Sequence, residues 1–367
     1  MKIVVASKGR SHLLDCSRVL QNLGHNVTFY TATPRKNFKK YGLLKGGISF
    51  AEILAPIIIL SIYFPSNFTR GLFSYALDLL VALSMPKCDV FIASSPDFTW
   101  SMKLARKRWG TLLLLDRGAS HVRLYNEMSI LSGSRPMTEW YMTQDESQYA
   151  LADYIALGSD YMQEGFIAQG VDKRKLFSNP YGVSFKDFPP TTWTGEFDFI
   201  YVGQWSKRKG GELIIDALRG TKYRFLHVGS IIDIDFPNES NFTHFDSVPQ
   251  SELFKFYAKA KVFLFPSYDD GFGMVLCQAY SCGLPIVCSQ NCGGTTMKRL
   301  IPDSDNIIVL NEMSSICLRD TCKELIEYIG DPSGVRSANY EKLESFSWES
   351  YGNRLNSFLE QVLELRS

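Results

Sequence analysis

The sequence predicts an α/β protein of two doubly wound, parallel-sheet domains facing a common cleft. Apolar, β-rich runs alternate with helical patterns in two separate series, the signature of parallel sheets covered on both faces. Between the series, near 183–193, the chain becomes turn-rich and passes through Pro189-Pro190. With 367 residues, 45% of them hydrophobic, the chain is long enough to bury two cores.

In the first series the strand-like runs are 2–6, 26–30, 90–93, 112–116 and 154–157, with helical spacing over 11–23 and 98–109 between them. The second series has strands at 198–202, 224–228 and 262–265 and one opening at Ile286. Over 348–365, Tyr351, Leu355, Phe358, Leu359, Val362 and Leu363 recur at helical spacing. The expected division is a first domain over 1–183, a second over 194–345 and a terminal helix over 346–367.

Net charge is +1, so no global field argues for a nucleic-acid partner. The eight cysteines form no CxxC pair and several lie in apolar stretches, which fits a reducing cytoplasm. The opening MKIVVASKGR reads as a strand running into a polar loop, without the apolar core of a signal peptide. The stretch 48–65 is very apolar, yet Glu52 and Pro56 interrupt it and it is too short for a convincing spanning helix. Arg35, Lys36, Lys39, Lys40 and Lys45 precede it, interleaved with Phe38, Tyr41, Leu43 and Leu44. The first expectation is a solvated loop followed by a core helix; the alternative is peripheral contact with a membrane surface.

The most informative stretch is 261–287, which reads as strand, tight loop, helix, stop and strand. Asp270-Gly271-Phe272-Gly273 supplies a turn that lets a ligand approach bare backbone, and a short helix opens at Met274. The free amides and partial positive charge of that helix start suit an anionic guest such as a diphosphate. Gln278 lies one helical turn after Met274.

This stretch resembles the signature of retaining glycosyltransferases of family 4, in the GT-B fold of two Rossmann-like domains. There, Pro-Ser and Glu-Gly-Phe-Gly follow an apolar strand, with a second Glu eight positions after the first; Asp270 and Gln278 occupy those two places here. The resemblance implies that Asp270 contacts the donor sugar and Gln278 the ribose, with Gly271, Phe272, Gly273 and Met274 around the nucleotide. Residues 201–210, YVGQWSKRKG, look like the family's phosphate-holding entry. Gly203 and Lys209 match its glycine and lysine, while Gln204 stands in the place of its arginine, so Arg208 is the substitute cation. Arg117-Gly-Ala-Ser-His121 resembles a segment seen in one branch of the family, which places His121 against the donor sugar.

On the acceptor side the expected residues are Gly9 and Arg10 of the first loop, together with Arg117. Gly293-Gly294 is followed by Thr295, Thr296, Met297 and Lys298 without the acid often found there. Asp233-Ile-Asp235 and Asp303-Ser-Asp305 have the spacing of a metal triplet, but neither ends a convincing strand, so no metal and no cofactor is expected. The implied activity is metal-independent transfer, with retention, from a nucleotide diphosphate sugar to a glycan or lipid-linked acceptor. Two further readings stay open: an epimerase or phosphorylase of the same architecture, and a non-catalytic nucleotide-sugar-binding subunit.

Overall fold

The computed structural model describes residues 1–366 except 10, 37, 39–41, 44, 302–303 and 331–342. Two fully parallel sheets organise it. The first has the order β3-β2-β1-β4-β5-β6-β7. Its strands are β1 (Lys2–Ser7), β2 (Asn26–Thr31), β3 (Gly47–Ser49), β4 (Val90–Ser94), β5 (Leu112–Arg117), β6 (Tyr154–Leu157) and β7 (Leu176–Ser178). The second has the order β10-β9-β8-β11-β12-β13. It comprises β8 (Phe197–Val202), β9 (Phe225–Val228), β10 (Phe242–Phe245), β11 (Ala260–Phe265), β12 (Ile286–Cys288) and β13 (Ile307–Val309).

The β5 strand shows why these segments are apolar without alternation. Leu112 and Leu114 enter the core on one face of the sheet, and Leu113 and Leu115 the core on the other, all at most 1% exposed. In the first sheet the strand order reverses between β1 and β4, and in the second between β8 and β11. Ligand crevices of open α/β sheets form at the carboxyl ends of strands at such reversals.

The terminal helix Trp348–Glu364 packs on the first domain. Gly352 lies against Val19 of the helix Leu13–Asn22, and His25 Nε2 meets Asn356 Oδ1 at 2.6 Å. Arg354 donates to Asn179 Oδ1 at 2.9 Å and to the Pro180 carbonyl at 2.7 Å, tying the helix to the end of the first domain. The Phe358 ring stacks on Phe177 at 4.0 Å.

One expectation is overturned here. The apolar stretch forms the helix Ala51–Tyr63, but Leu54 is its one buried residue, so it is not a core helix. The next helix, Asn67–Ser84, is started by a reciprocal Ser66–Thr69 cap and sends Leu77 and Val81 into the core. The first helix therefore rests on the outside, with its own Ile57 and Ile58 partly buried against the core. All eight cysteines are free thiols, and all but Cys317 are buried.

Candidate active site

The loop after β8 begins the site. Gly203 ends the strand and Trp205 anchors the loop at 0% exposure. Gly210, at φ +76°, then closes the turn against the carbonyl of Pro266. A Cβ there would sit 2.0 Å from that oxygen, so the close approach requires glycine. This contact holds Lys209 beside the loop after β11. Lys209 Nζ donates to Asp270 Oδ2 at 2.5 Å and to the Asp269 carbonyl at 3.0 Å. Arg208 donates to the same carbonyl at 2.6 Å, and its guanidinium lies 5.0 Å from the Tyr125 ring centre in the first domain. Burial lowers the Lys209 pKa, and the Asp270 charge opposes that shift. Asp270 also accepts from the Phe272 N–H at 3.1 Å, a local turn that shapes the glycine loop.

Gly273 precedes the helix Met274–Ser281 and lies against the Phe265 ring, over which Lys209 Nζ sits 5.8 Å from the ring centre. Gln278, 6% exposed, accepts from the buried Tyr257 hydroxyl at 3.2 Å through Oε1. Its amide NH₂ remains the group able to donate to a ribose oxygen. Replacing Gln278 by Glu is expected to be tolerated, because one carboxylate oxygen keeps the Tyr257 bond and the other can accept from a ribose hydroxyl in place of the amide's donation. Gln278→Leu is expected to weaken nucleotide binding by about 1 to 2 kcal/mol, read by calorimetry; equal affinity would place Gln278 outside the nucleotide site.

His121, 3% exposed, starts the helix Val122–Leu131 and is wedged between the Tyr149 and Phe166 rings at 5.0 and 4.9 Å. Burial, aided by the neighbouring Arg117 charge, lowers its pKa to about 4, so the ring is neutral at physiological pH. Its Nδ1 accepts from the Arg123 N–H at 3.2 Å, which leaves the proton on Nε2 as a donor. The His121 carbonyl accepts the first helical bond from the Tyr125 N–H at 2.8 Å. Arg117 is 7% exposed and committed to its own domain: it pairs with Asp145 at 3.0 Å and donates to the Ser120 carbonyl. Gly9 has open space around its Cα, and Arg10 lies outside the described residues. Asp233 accepts from the Lys207 N–H at 2.9 Å and so shapes the cationic turn, while Asp303 also lies outside the described residues.

Several residues that the sequence reading did not single out hold the two domains together at this site. Asp269, 1% exposed, accepts from Ser120 at 2.5 Å and Tyr161 at 3.0 Å in the first domain, and faces Arg208 at 3.5 Å in the second. Ser159 donates to the Gly271 carbonyl, and the Asp160 N–H donates to Thr296 Oγ1 at 2.8 Å. Gly271 abuts Gly118, where an added Cβ would sit 2.4 Å from the Gly118 carbonyl oxygen. Beneath this seam His12 Nε2 meets Asp116 Oδ1 at 2.7 Å, and its ring packs on Tyr181 at 4.2 Å. The Tyr181 ring in turn meets Phe272 at 5.4 Å. The Asp269-Asp270 doublet beside the glycines is the sequence signal that marks this node; its first-domain partners Ser120 and Tyr161 lie more than a hundred residues away.

Residues 184–299 match the family model Glycosyl transferases group 1. Over 106 residues, 28% of this chain and 26% of the relative, the sequence is 30% identical to O-antigen chain mannosyltransferase B of Escherichia coli. The chain thus spans about a quarter of that curated relative's length. The sucrose-phosphate synthase structure from Thermosynechococcus elongatus superposes with a TM-score of 0.70 at 16% identity, covering 99% of both chains. Anabaena Alr3699/HepE in complex with UDP and glucose gives 0.71 at 13% identity, over 98% of this chain and 99% of that one. The fold is that of these GT-B structures.

Proposed function

We propose that this chain is a glycosyltransferase that moves a sugar, with retention of anomeric configuration, from a nucleotide diphosphate sugar to a hydroxyl acceptor. The observation that carries the reading is the convergence of Lys209 and Arg208 on the Asp269 carbonyl, at the head of the loop that leads through Gly273 into the helix Met274–Ser281, within the segment that matches the family model. Two cations and a set of free amides are what a leaving diphosphate needs as its charge grows. In this reading they neutralise that charge without a metal.

Asp270 and the Nε2–H of His121 hold the sugar hydroxyls, and Gln278 holds the ribose. The acceptor hydroxyl attacks on the face from which the diphosphate leaves, and a departing phosphate oxygen takes its proton. The transferred sugar is a hexose or a close relative. The acceptor is a glycan or a lipid-linked glycan of polysaccharide or glycoconjugate biosynthesis, reached from the cytoplasmic side at a membrane surface.

The test is a thermal-shift panel of nucleotide sugars, followed by NMR assignment of the anomer formed with the stabilising donor. Inversion at the anomeric carbon would overturn the same-face route. Tight donor binding without turnover on any acceptor would favour the non-catalytic subunit that the Asp270 and Gln278 departures allow.

A further inference from the structure

The helices Ala51–Tyr63 and Asn67–Ser84 form a hairpin whose outward face is apolar at helical spacing. On the first helix Ile53, Leu60 and Tyr63 point outward at 64%, 39% and 75% exposure. On the second, Phe68, Tyr75 and Leu83 do so at 75%, 57% and 75%. The tip adds Phe64 at 68%. A surface helix ordinarily turns such a stripe toward the core; here the core is already supplied by Leu77 and Val81, and the stripe faces solvent. From 53 to 77 the sequence carries one charged residue, Arg70. A contiguous exposed apolar face of this kind marks an interaction surface.

Three observations select its occupant. The first is charge. Residues 33–110 hold eleven Lys and Arg against four Asp and Glu, in a chain whose net charge is +1. Of the four acids, Asp78 is buried and Asp97 is held by Ser74 and Lys8; of the eleven bases, Arg106 is paired with Asp153. An isologous dimer would set this positive region against itself, whereas an anionic surface complements it. The second is composition: Tyr63, Tyr75, Trp100 and Trp140 are exposed on or beside the face, the residue types that settle at a membrane–water boundary. The third is continuity with the cleft. Lys8 of the first loop donates to Ser74 of the hairpin at 2.6 Å and lies over the Phe73 ring at 5.1 Å, so the face backs onto the acceptor side.

We infer that the hairpin face docks in the interfacial layer of an anionic bilayer and presents the first-domain side of the cleft to lipid-borne hydroxyls. Among the described residues no helix is long and apolar enough to cross a membrane. At 13 residues, the helix Ala51–Tyr63 is about 20 Å long, short of the roughly 30 Å hydrocarbon core, so it lies in the boundary rather than across it. This deepens the sugar-transfer reading and rests on it for the identity of the acceptor, though not for the docking itself.

The test is sedimentation of the full chain with vesicles of phosphatidylcholine, and of phosphatidylcholine mixed with phosphatidylglycerol, with calorimetric nucleotide binding measured in parallel. The expected result is binding to both, tighter to the anionic vesicles, with a blue shift of tryptophan emission. The combined variant Tyr63→Ser, Phe64→Ser, Phe68→Ser changes exposed side chains of the face only and should lower partition by about tenfold or more, with nucleotide binding unchanged. Three results would overturn the inference: wild-type protein that ignores both vesicles at low salt; loss of binding only on Lys36→Gln with Lys45→Gln; or a dimer that the apolar variant splits. Vesicle binding by a chain that binds no nucleotide sugar would instead remove the donor reading and leave the docking surface standing.

Discussion

Lys209→Ala is expected to lower turnover by about 100- to 1,000-fold, the scale of removing one preorganised charge that faces a developing anion. Lys209 is 9% exposed and its ammonium is bonded to Asp270 Oδ2 and the Asp269 carbonyl, so its position is set before any ligand arrives. Preorganisation is what makes a charge effective, because nothing has to reorient as the diphosphate leaves. The substitution also strips Asp270 of its cation, and that alone could disturb the glycine loop. The double variant Lys209→Ala with Asp270→Asn, measured against Asp270→Asn alone because Asp270 itself serves the sugar in this reading, separates the two causes: a transition-state role keeps the loss between those two variants as large as in the single lysine variant, whereas a much smaller loss would assign it to an unpaired carboxylate. Unchanged kinetics in a folded Lys209→Ala protein would remove the lysine from the site.

Asp269→Ala is expected to uncouple the two domains. Its carboxylate takes hydrogen bonds from Ser120 and Tyr161 of the first domain while facing Arg208 of the second. Truncating one member of a buried pair costs about 3 to 5 kcal/mol. The lower end applies here, because Arg208 keeps the Asp269 main-chain carbonyl and its side chain remains 18% exposed. Ser120→Ala and Tyr161→Phe each remove a single bond and should cost about 1 kcal/mol. Differential scanning calorimetry should show one cooperative transition splitting into two in Asp269→Ala, with turnover falling more than nucleotide affinity, since the donor loop stays in its own domain. A single unshifted transition would refute the clasp.

Protonation adds a check on His121. Its folded pKa of about 4 lies below the ordinary histidine value of 6.5, so the unfolded chain binds the extra proton between these values. Stability from this group is therefore fully present above pH 6.5 and declines as pH falls toward 4. His121→Gln should flatten that part of a melting-temperature profile; a profile identical to wild type would contradict the buried neutral ring.

The α/β class and both runs of central strands were legible in the sequence, because a strand buried on both faces has to be apolar throughout, as 112–115 is. The edge strands β3, β7, β10 and β13 were not read: each has three or four residues, and an edge needs pairing on one side only. Pattern likewise could not decide where the helix Ala51–Tyr63 sits. Its apolar residues suit a core or a lipid boundary equally, and only the tertiary structure showed that it sends Leu54 alone fully into the core while the following helix supplies Leu77 and Val81.

Local order determined the donor loop. Glycines at 203 and 210 with cations at 208 and 209 form one local group, and glycines at 271 and 273 before a helix form another, so each group's spacing already suggests an anion site. What tertiary structure decided was partnership: Asp269 with Ser120 and Tyr161, Gln278 with Tyr257, Arg117 with Asp145 and His12 with Asp116. Those pairs join segments from different strands or domains. A sequence encodes the burial and charge of each partner separately, while the choice between partners is made only when the two sheets close on the cleft and every buried polar group must find its mate.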